Sequence, residues 1–122
     1  MKYLCLIYQD EQGALKVPTA EMEKAMAEYW AFTDDIKKTG HHIASNGLQP
    51  TKTATTVRVR NGKVSTTDGP FAETKEQLGG FYLVEAESID EAIDWAAKIP
   101  SARFGTIEVR PVMQIPAGAP AS

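Results

Sequence analysis

Three observations predict an α+β fold, one antiparallel sheet with two helices on one side and a β-hairpin inserted in mid-chain. Residues 2–8 and 79–86 are short runs of strand character with apolar groups on both faces. Residues 19–38 and the segment behind Ser88 repeat apolar positions at the helical period. Between alternating segments stands Asn61-Gly62, the dipeptide of a two-residue hairpin turn.

Along the chain, Leu4, Leu6 and Tyr8 face one way in the first strand and Tyr3, Cys5 and Ile7 the other. A long helix follows over Thr19–Lys38, with Glu21 and Glu23 at its positive end and Lys37 and Lys38 at its negative end. Met22, Met26, Tyr29, Thr33 and Ile36 form its predicted core stripe, widened by Ala25 and Phe32, and Gly40 ends it. HHIASNGL (41–48) fits a second strand. TATTVRVR and KVSTT flank the Asn-Gly turn as a hairpin, and GGFYLVEA (79–86) is the next strand. Ser88-Ile89-Asp90-Glu91 has capping-box spacing. The helix behind it offers Ile89, Ala92, Ile93, Ala96 and Ala97 to the core, and GTIEVR (105–110) reads as a last strand near an edge. Residues 1–113 form one domain; the Pro/Ala/Gly-rich end, 114–122, reads as a disordered tail.

Without the inserted hairpin the order is βαββαβ, the split-βαβ ferredoxin-like sandwich. Two helices cover one face of such a sheet, yet two strands are apolar on both. A second copy meeting the first sheet to sheet would cover the bare face, giving a homodimer. The alternative is a monomer whose loops or tail lie over it.

Composition narrows the function classes. The chain has 122 residues, is 43% hydrophobic and carries a net charge of -3, without a long block of like charge. This weighs against nucleic-acid binding, which needs a concentrated basic footprint, but leaves room for a small polar or anionic ligand. MKYLCLIYQDE turns charged too early for a signal peptide, and nothing approaches the length of a membrane span, so a cytoplasmic location without membrane association is the expectation. Cys5 is the single cysteine, so no internal disulfide forms. His41 and His42 are adjacent in a strand and point apart, and no metal-binding cluster is present. No glycine-rich nucleotide motif occurs either, so no metal or cofactor is expected.

Chemistry concentrates in TTDGPFAETKEQLGG (66–80). Asp68-Gly69-Pro70 is a turn, and Thr74 to Gln77 has the spacing of one capped helical turn closed by Gly79-Gly80. Asp68 and Glu73 either serve this connector or rim a sheet-helix cleft, where a carboxylate accepts a proton, with Lys75 beside them. In that cleft Tyr8, Tyr29 and Arg58 are the candidate ligand-binding groups; the plainer roles are core packing for Tyr29 and a solvated or subunit-bridging charge for Arg58. His42 is the candidate general base, because its pKa lies near neutrality. Cys5, in an apolar strand, is a packing group rather than a nucleophile.

MKYLCLIY, the long run GLQPTKTATTVRVRNGKVSTTDGPFAETKEQLGGFYLVEA and IEVRPV together resemble the DGPF-domain proteins of the YCII-related family, over residues 1–113. The resemblance implies a small bacterial protein of the dimeric α/β-barrel type with a pocket in each subunit. The wider family carries a His in the first helix and an Asp before a Pro after the second. Those positions fall here on Tyr29 and Ile99, so the resemblance does not carry that acid-base pair across. Two functions stand: a protein that binds or transforms a small molecule in the cleft, or a non-catalytic regulatory partner linked to extracytoplasmic-function sigma-factor signalling.

Overall fold

The computed structural model describes residues 1–115. In order, the elements are β1 (Lys2–Gln9), α1 (Glu11–Ala14), α2 (Thr19–Lys38), β2 (His42–Gly47), β3 (Thr55–Arg60), β4 (Lys63–Asp68), β5 (Gln77–Glu85), α3 (Ile89–Lys98) and β6 (Thr106–Pro111). Short 3-10 turns occupy Thr51–Thr53 and Pro100–Arg103. The domain is thus mixed α and β. A four-stranded antiparallel sheet has the order β2-β5-β1-β6, and β3-β4 is a separate two-stranded sheet.

The two-faced strands are the central ones. β1 lies between β5 and β6, with Leu4 opposite Leu83 and Leu6 opposite Phe81 on one face. On the other face Tyr3, Cys5 and Ile7 join Tyr82 and Val84 in the core, under Phe32 and Ile36 of α2 and Ala92, Trp95 and Ala96 of α3. Phe32 meets Tyr82 edge-on at 5.1 Å between ring centroids, the geometry aromatic quadrupoles favour. Leu4, Leu6, Phe81 and Leu83 stay half-buried on the face that carries no helix.

Both helix stripes differ from the periodic reading. In α2 only Phe32 and Ile36 are buried, while Met22 and Met26 are about half exposed at 51% and 54%. The N-terminal half of the helix runs beyond the core, so its periodic methionines have nothing to pack on. In α3 Trp95 is buried and Ile89 and Ile93 are exposed. The large indole rather than the isoleucines fills the space beside Phe32, at 6.2 Å between centroids. The start of α3 is closer to expectation: Ser88 accepts from the Glu91 N–H at 3.3 Å, and the Glu91 carboxylate accepts from the Glu87 N–H at 3.2 Å.

The helical turn expected at 74–77 does not form. The Thr74 hydroxyl donates to the Glu76 carbonyl and the Gln77 amide to the Thr74 carbonyl, both at 2.5 Å. Gln77 pairs with Gln9 as the first residue of β5, and Gly79 and Gly80 continue the strand. Long-range strand pairing outcompetes a single turn, which has too few internal bonds to persist alone. At the hairpin tip Asn61 and Gly62 both adopt positive φ, 52° and 73°, as a type I′ turn requires. Of the expected 114–122 tail, residues 116–122 lie outside the described residues.

Core position decides mutational cost. Ile36→Ala should lower unfolding free energy by about 2–5 kcal/mol, and Ile93→Ala should stay within about 0.5 kcal/mol, both read from urea unfolding.

Candidate functional site

The segment Gln9-Asp10-Glu11-Gln12 builds a cleft at one end of the sheet. Asp10 caps α1 by accepting from the Gln12 N–H at 3.1 Å. Both Glu11 carboxylate oxygens are occupied by Thr51, one by its N–H and one by its hydroxyl, each at 2.8 Å. The Glu11 N–H donates to the Gln77 side chain at 3.0 Å. This clamp holds α1 against residues 50–53 and borders an open cleft of about 350 Å³. Its lining includes Gln9, Gln12, Leu15, Leu48, Lys52 and Gly79.

Behind Gln9 runs a chain of hydroxyls. Ser101, a polar residue buried at 1% exposure, donates to Gln9 Oε1 at 3.1 Å and is hydrogen-bonded to the Tyr29 hydroxyl. A serine hydroxyl has one proton. Since Ser101 gives it to Gln9, Tyr29 must donate to Ser101. The order Tyr29 to Ser101 to Gln9 Oε1 turns the Gln9 NH2 group away from the chain, and that group has no protein partner among the described residues. Gly105 makes the arrangement possible. A Cβ there would collide with the Tyr8 carbonyl and lie 3.2 Å from Gln9 Cβ, so only glycine lets the Pro100–Arg103 turn lie this close to the end of β1.

Burial pushes the Tyr29 phenol above its ordinary pKa, outweighing the Ser101 hydrogen bond, so it stays a neutral donor. Burial likewise raises Tyr82, whose hydroxyl meets Thr33 at 2.7 Å. Tyr8 is raised by burial first and by the Glu108 carboxylate next; it donates to Glu108 at 3.3 Å. The Cys5 thiol is pushed up to about 11 by burial, which makes it a packing group.

The residues singled out in the sequence fall in several places. Tyr29 belongs to the hydroxyl chain. Tyr8 stands at the rim of the helix-free sheet face. His42 meets the Ser45 hydroxyl at 2.8 Å and the edge of Tyr82. Arg58 is exposed on β3, Asp68 at the end of β4, and Glu73 and Lys75 in the loop that follows. None of these seven lines the cleft. A second concavity of about 230 Å³ holds Met1, His41, Glu85, Glu87 and Glu91, with His41 Nε2 3.3 Å from Glu91. Among the described residues no group of three His, Cys, Asp or Glu is placed to hold a metal ion. No helix there is long and apolar enough to cross a membrane.

Gln9, Glu11 and Ser101 were not anticipated. Asp10 followed two residues later by Gln12 is a legible cap, but the partner of Glu11 lies 40 residues on, and nothing in Pro100-Ser101 marks the serine as buried.

The YCII-related domain model matches residues 1–116. The chain belongs to the YCII-related family. An uncharacterized protein of Rhizobium meliloti (strain 1021) is 40% identical over 114 residues, covering 92% of each chain. In this YCII-related domain the two positions at which the resemblance places the acid-base pair hold Tyr29, a neutral phenol, and Ile99, which is 1% exposed.

Ser101→Ala leaves both the Tyr29 hydroxyl and Gln9 Oε1 without their partner and should cost about 1–3 kcal/mol in urea unfolding. Tyr29→Phe should cost less, since Ser101 still donates to Gln9. His42 provides a pH test. Burial, then Lys37, hold its pKa below the ordinary 6.5, so the unfolded chain takes up the proton first as pH falls. Its contribution to stability is complete above that value and is lost below it. The thermal midpoint of His42→Gln should therefore fall less than that of the parent between about pH 7.5 and 5.5.

Proposed function

We propose that the protein binds a small molecule in the cleft at the Gln9 end of the sheet. The observation that carries this reading is the oriented Gln9 amide: a part-buried hydroxyl chain fixes its oxygen inward and leaves two N–H donors without a protein partner among the described residues. Leu15, Leu48 and Pro50 supply apolar walls, and Lys52 supplies a positive charge among the lining residues. The ligand is accordingly a short amphipathic molecule, with a carboxylate or carbonyl oxygen to meet Gln9 and Lys52 and a hydrocarbon part to cover the leucines. Tyr29 acts in this reading as a positioning residue, through Ser101.

The working form is a homodimer, a ferredoxin-like DGPF-type domain of the dimeric α/β-barrel class. The helix-free face with Leu4, Leu6, Phe81 and Leu83 is the surface a second sheet would cover. A second reading, a regulatory partner in sigma-factor signalling, would use the loop around Phe71, which is 80% exposed beside Glu73 and Lys75. Asp68 as proton acceptor belongs to a catalytic version of the first reading, with the ligand reaching from the cleft to the loop.

Titration with straight-chain carboxylates of four to eight carbons, followed by ligand-observed NMR, tests the cleft. Saturable binding is expected, weakened about tenfold or more by Gln9→Leu, the loss of one hydrogen bond to a charged group. Lys52→Ala should weaken carboxylates and leave the matching alcohols unchanged. Absence of saturable binding, or binding indifferent to Gln9→Leu, overturns the assignment.

A further inference from the structure

Near its start β5 carries two adjacent glycines with different surroundings. Gly80 is buried and pairs with Gly47 of β2. A Cβ on Gly80 would stand 2.8 Å from the Asn46 carbonyl oxygen and 3.3 Å from Gly47 Cα, so the close approach of β2 to β5 requires glycine there. Gly79 meets no such demand. It is half-buried, its φ lies outside the left-handed region, and a Cβ on it would meet only the Gln9 side chain, at ordinary contact distance. Alanine would fit this backbone and this space, and would stabilise the strand relative to glycine.

What a Cβ on Gly79 would touch is the amide end of Gln9, with Nε2 at 3.7 Å and Cγ at 3.9 Å. Both residues line the cleft. A bulge brings them together: Gly80 stands opposite Ile7 and Leu78 opposite Tyr8, which leaves Gly79 without an opposite number in β1. On the other side the Gly79 carbonyl is fixed by the Leu48 N–H at 2.9 Å. An acceptor hydrogen-bonded to Gln9 Nε2 lies about 2.9 Å from that nitrogen. A methyl group 3.7 Å from the same nitrogen takes the space that such an acceptor, and the atoms behind it, would need. A glycine inside a strand, where the backbone conformation does not require one, marks a place at which another group approaches closely.

On the reading of the Gln9 cleft as the binding site, we infer that Gly79 is its specificity-determining residue. The side chain it lacks leaves open the space against the Gln9 amide, and the oxygen-bearing end of the ligand enters there to meet the Gln9 N–H donors. Gly80 beside it serves the sheet alone.

The test is a double-mutant cycle in the full chain, with the same straight-chain carboxylates and ligand-observed NMR. Gly79→Ala should weaken binding about tenfold or more, as Gln9→Leu does, because the added methyl shuts the ligand out of the same hydrogen bond. Added to Gln9→Leu, it should weaken binding by less than about twofold further, since the contact it blocks is already gone. Thermal unfolding separates this role from a structural one. Gly79→Ala should keep the parent midpoint or raise it, while Gly80→Ala should lower it. Three results overturn the inference while leaving the cleft as a binding site: binding that Gln9→Leu weakens and Gly79→Ala does not, effects of the two substitutions that simply multiply, or a midpoint for Gly79→Ala as low as that of Gly80→Ala. If the parent chain shows no saturable binding, the cleft assignment falls and the role of Gly79 falls with it.

Discussion

The ladder between β1 and β5 is the constraint on which the rest of the molecule depends. It sets Tyr3 opposite Val84 and Cys5 opposite Tyr82, and so assembles the floor on which α2 and α3 pack. After a one-residue register shift between Ile7 and Tyr8 the same ladder carries on to Gln9 opposite Gln77. One set of backbone hydrogen bonds therefore fixes both the core at the middle of the sheet and the cleft at its end. A slip by one residue would exchange the helix-covered face for the bare one.

Around the cleft, rigidity comes from polar groups that are nearly all satisfied inside the protein. Glu11 is held by Thr51, Gln77 by Thr74 and Glu11, and Ser101 by Tyr29 and Gln9. None of the described buried side-chain nitrogen or oxygen atoms lacks a partner. Against that background the Gln9 NH2 group stands out, since its orientation is dictated from behind while its own donors have no protein partner among the described residues. Such preorganisation reduces the ordering cost that a ligand would otherwise meet.

Apolar surface is distributed unevenly. The helix side of the sheet is covered, the opposite side is half-buried by its own side chains, and exposed apolar groups stand on the β3-β4 hairpin, along α2 at Met22, Met26 and Trp30, in the loop at Phe71, and at Leu15, Phe104 and Met113. Apolar patches of this kind mark contact surfaces more often than they mark errors of packing. The exposed methionines of α2 are a case in point: their spacing is that of a core stripe, and the core simply ends before reaching them.

Much of the architecture was legible in the chain itself. Alternation in residues 2–8 and 79–86, the period of α2, Asn61-Gly62 and the Ser88 cap are local signals, and each operates through bonds or packing within a few residues. The long motif 66–80 was legible too, as a family marker, yet the turn expected at 74–77 became the approach to a strand. What only the tertiary structure decided is which periodic faces are covered and which distant polar groups meet. Trp95 rather than Ile93 entered the core because of the room beside Phe32. Gln9, Ser101 and Tyr29 came together because Gly105 allows one turn to lie against the end of β1. Spacing along a chain encodes local geometry, whereas a contact between Gln9 and Ser101, 92 residues apart, exists only once the sheet has closed the distance.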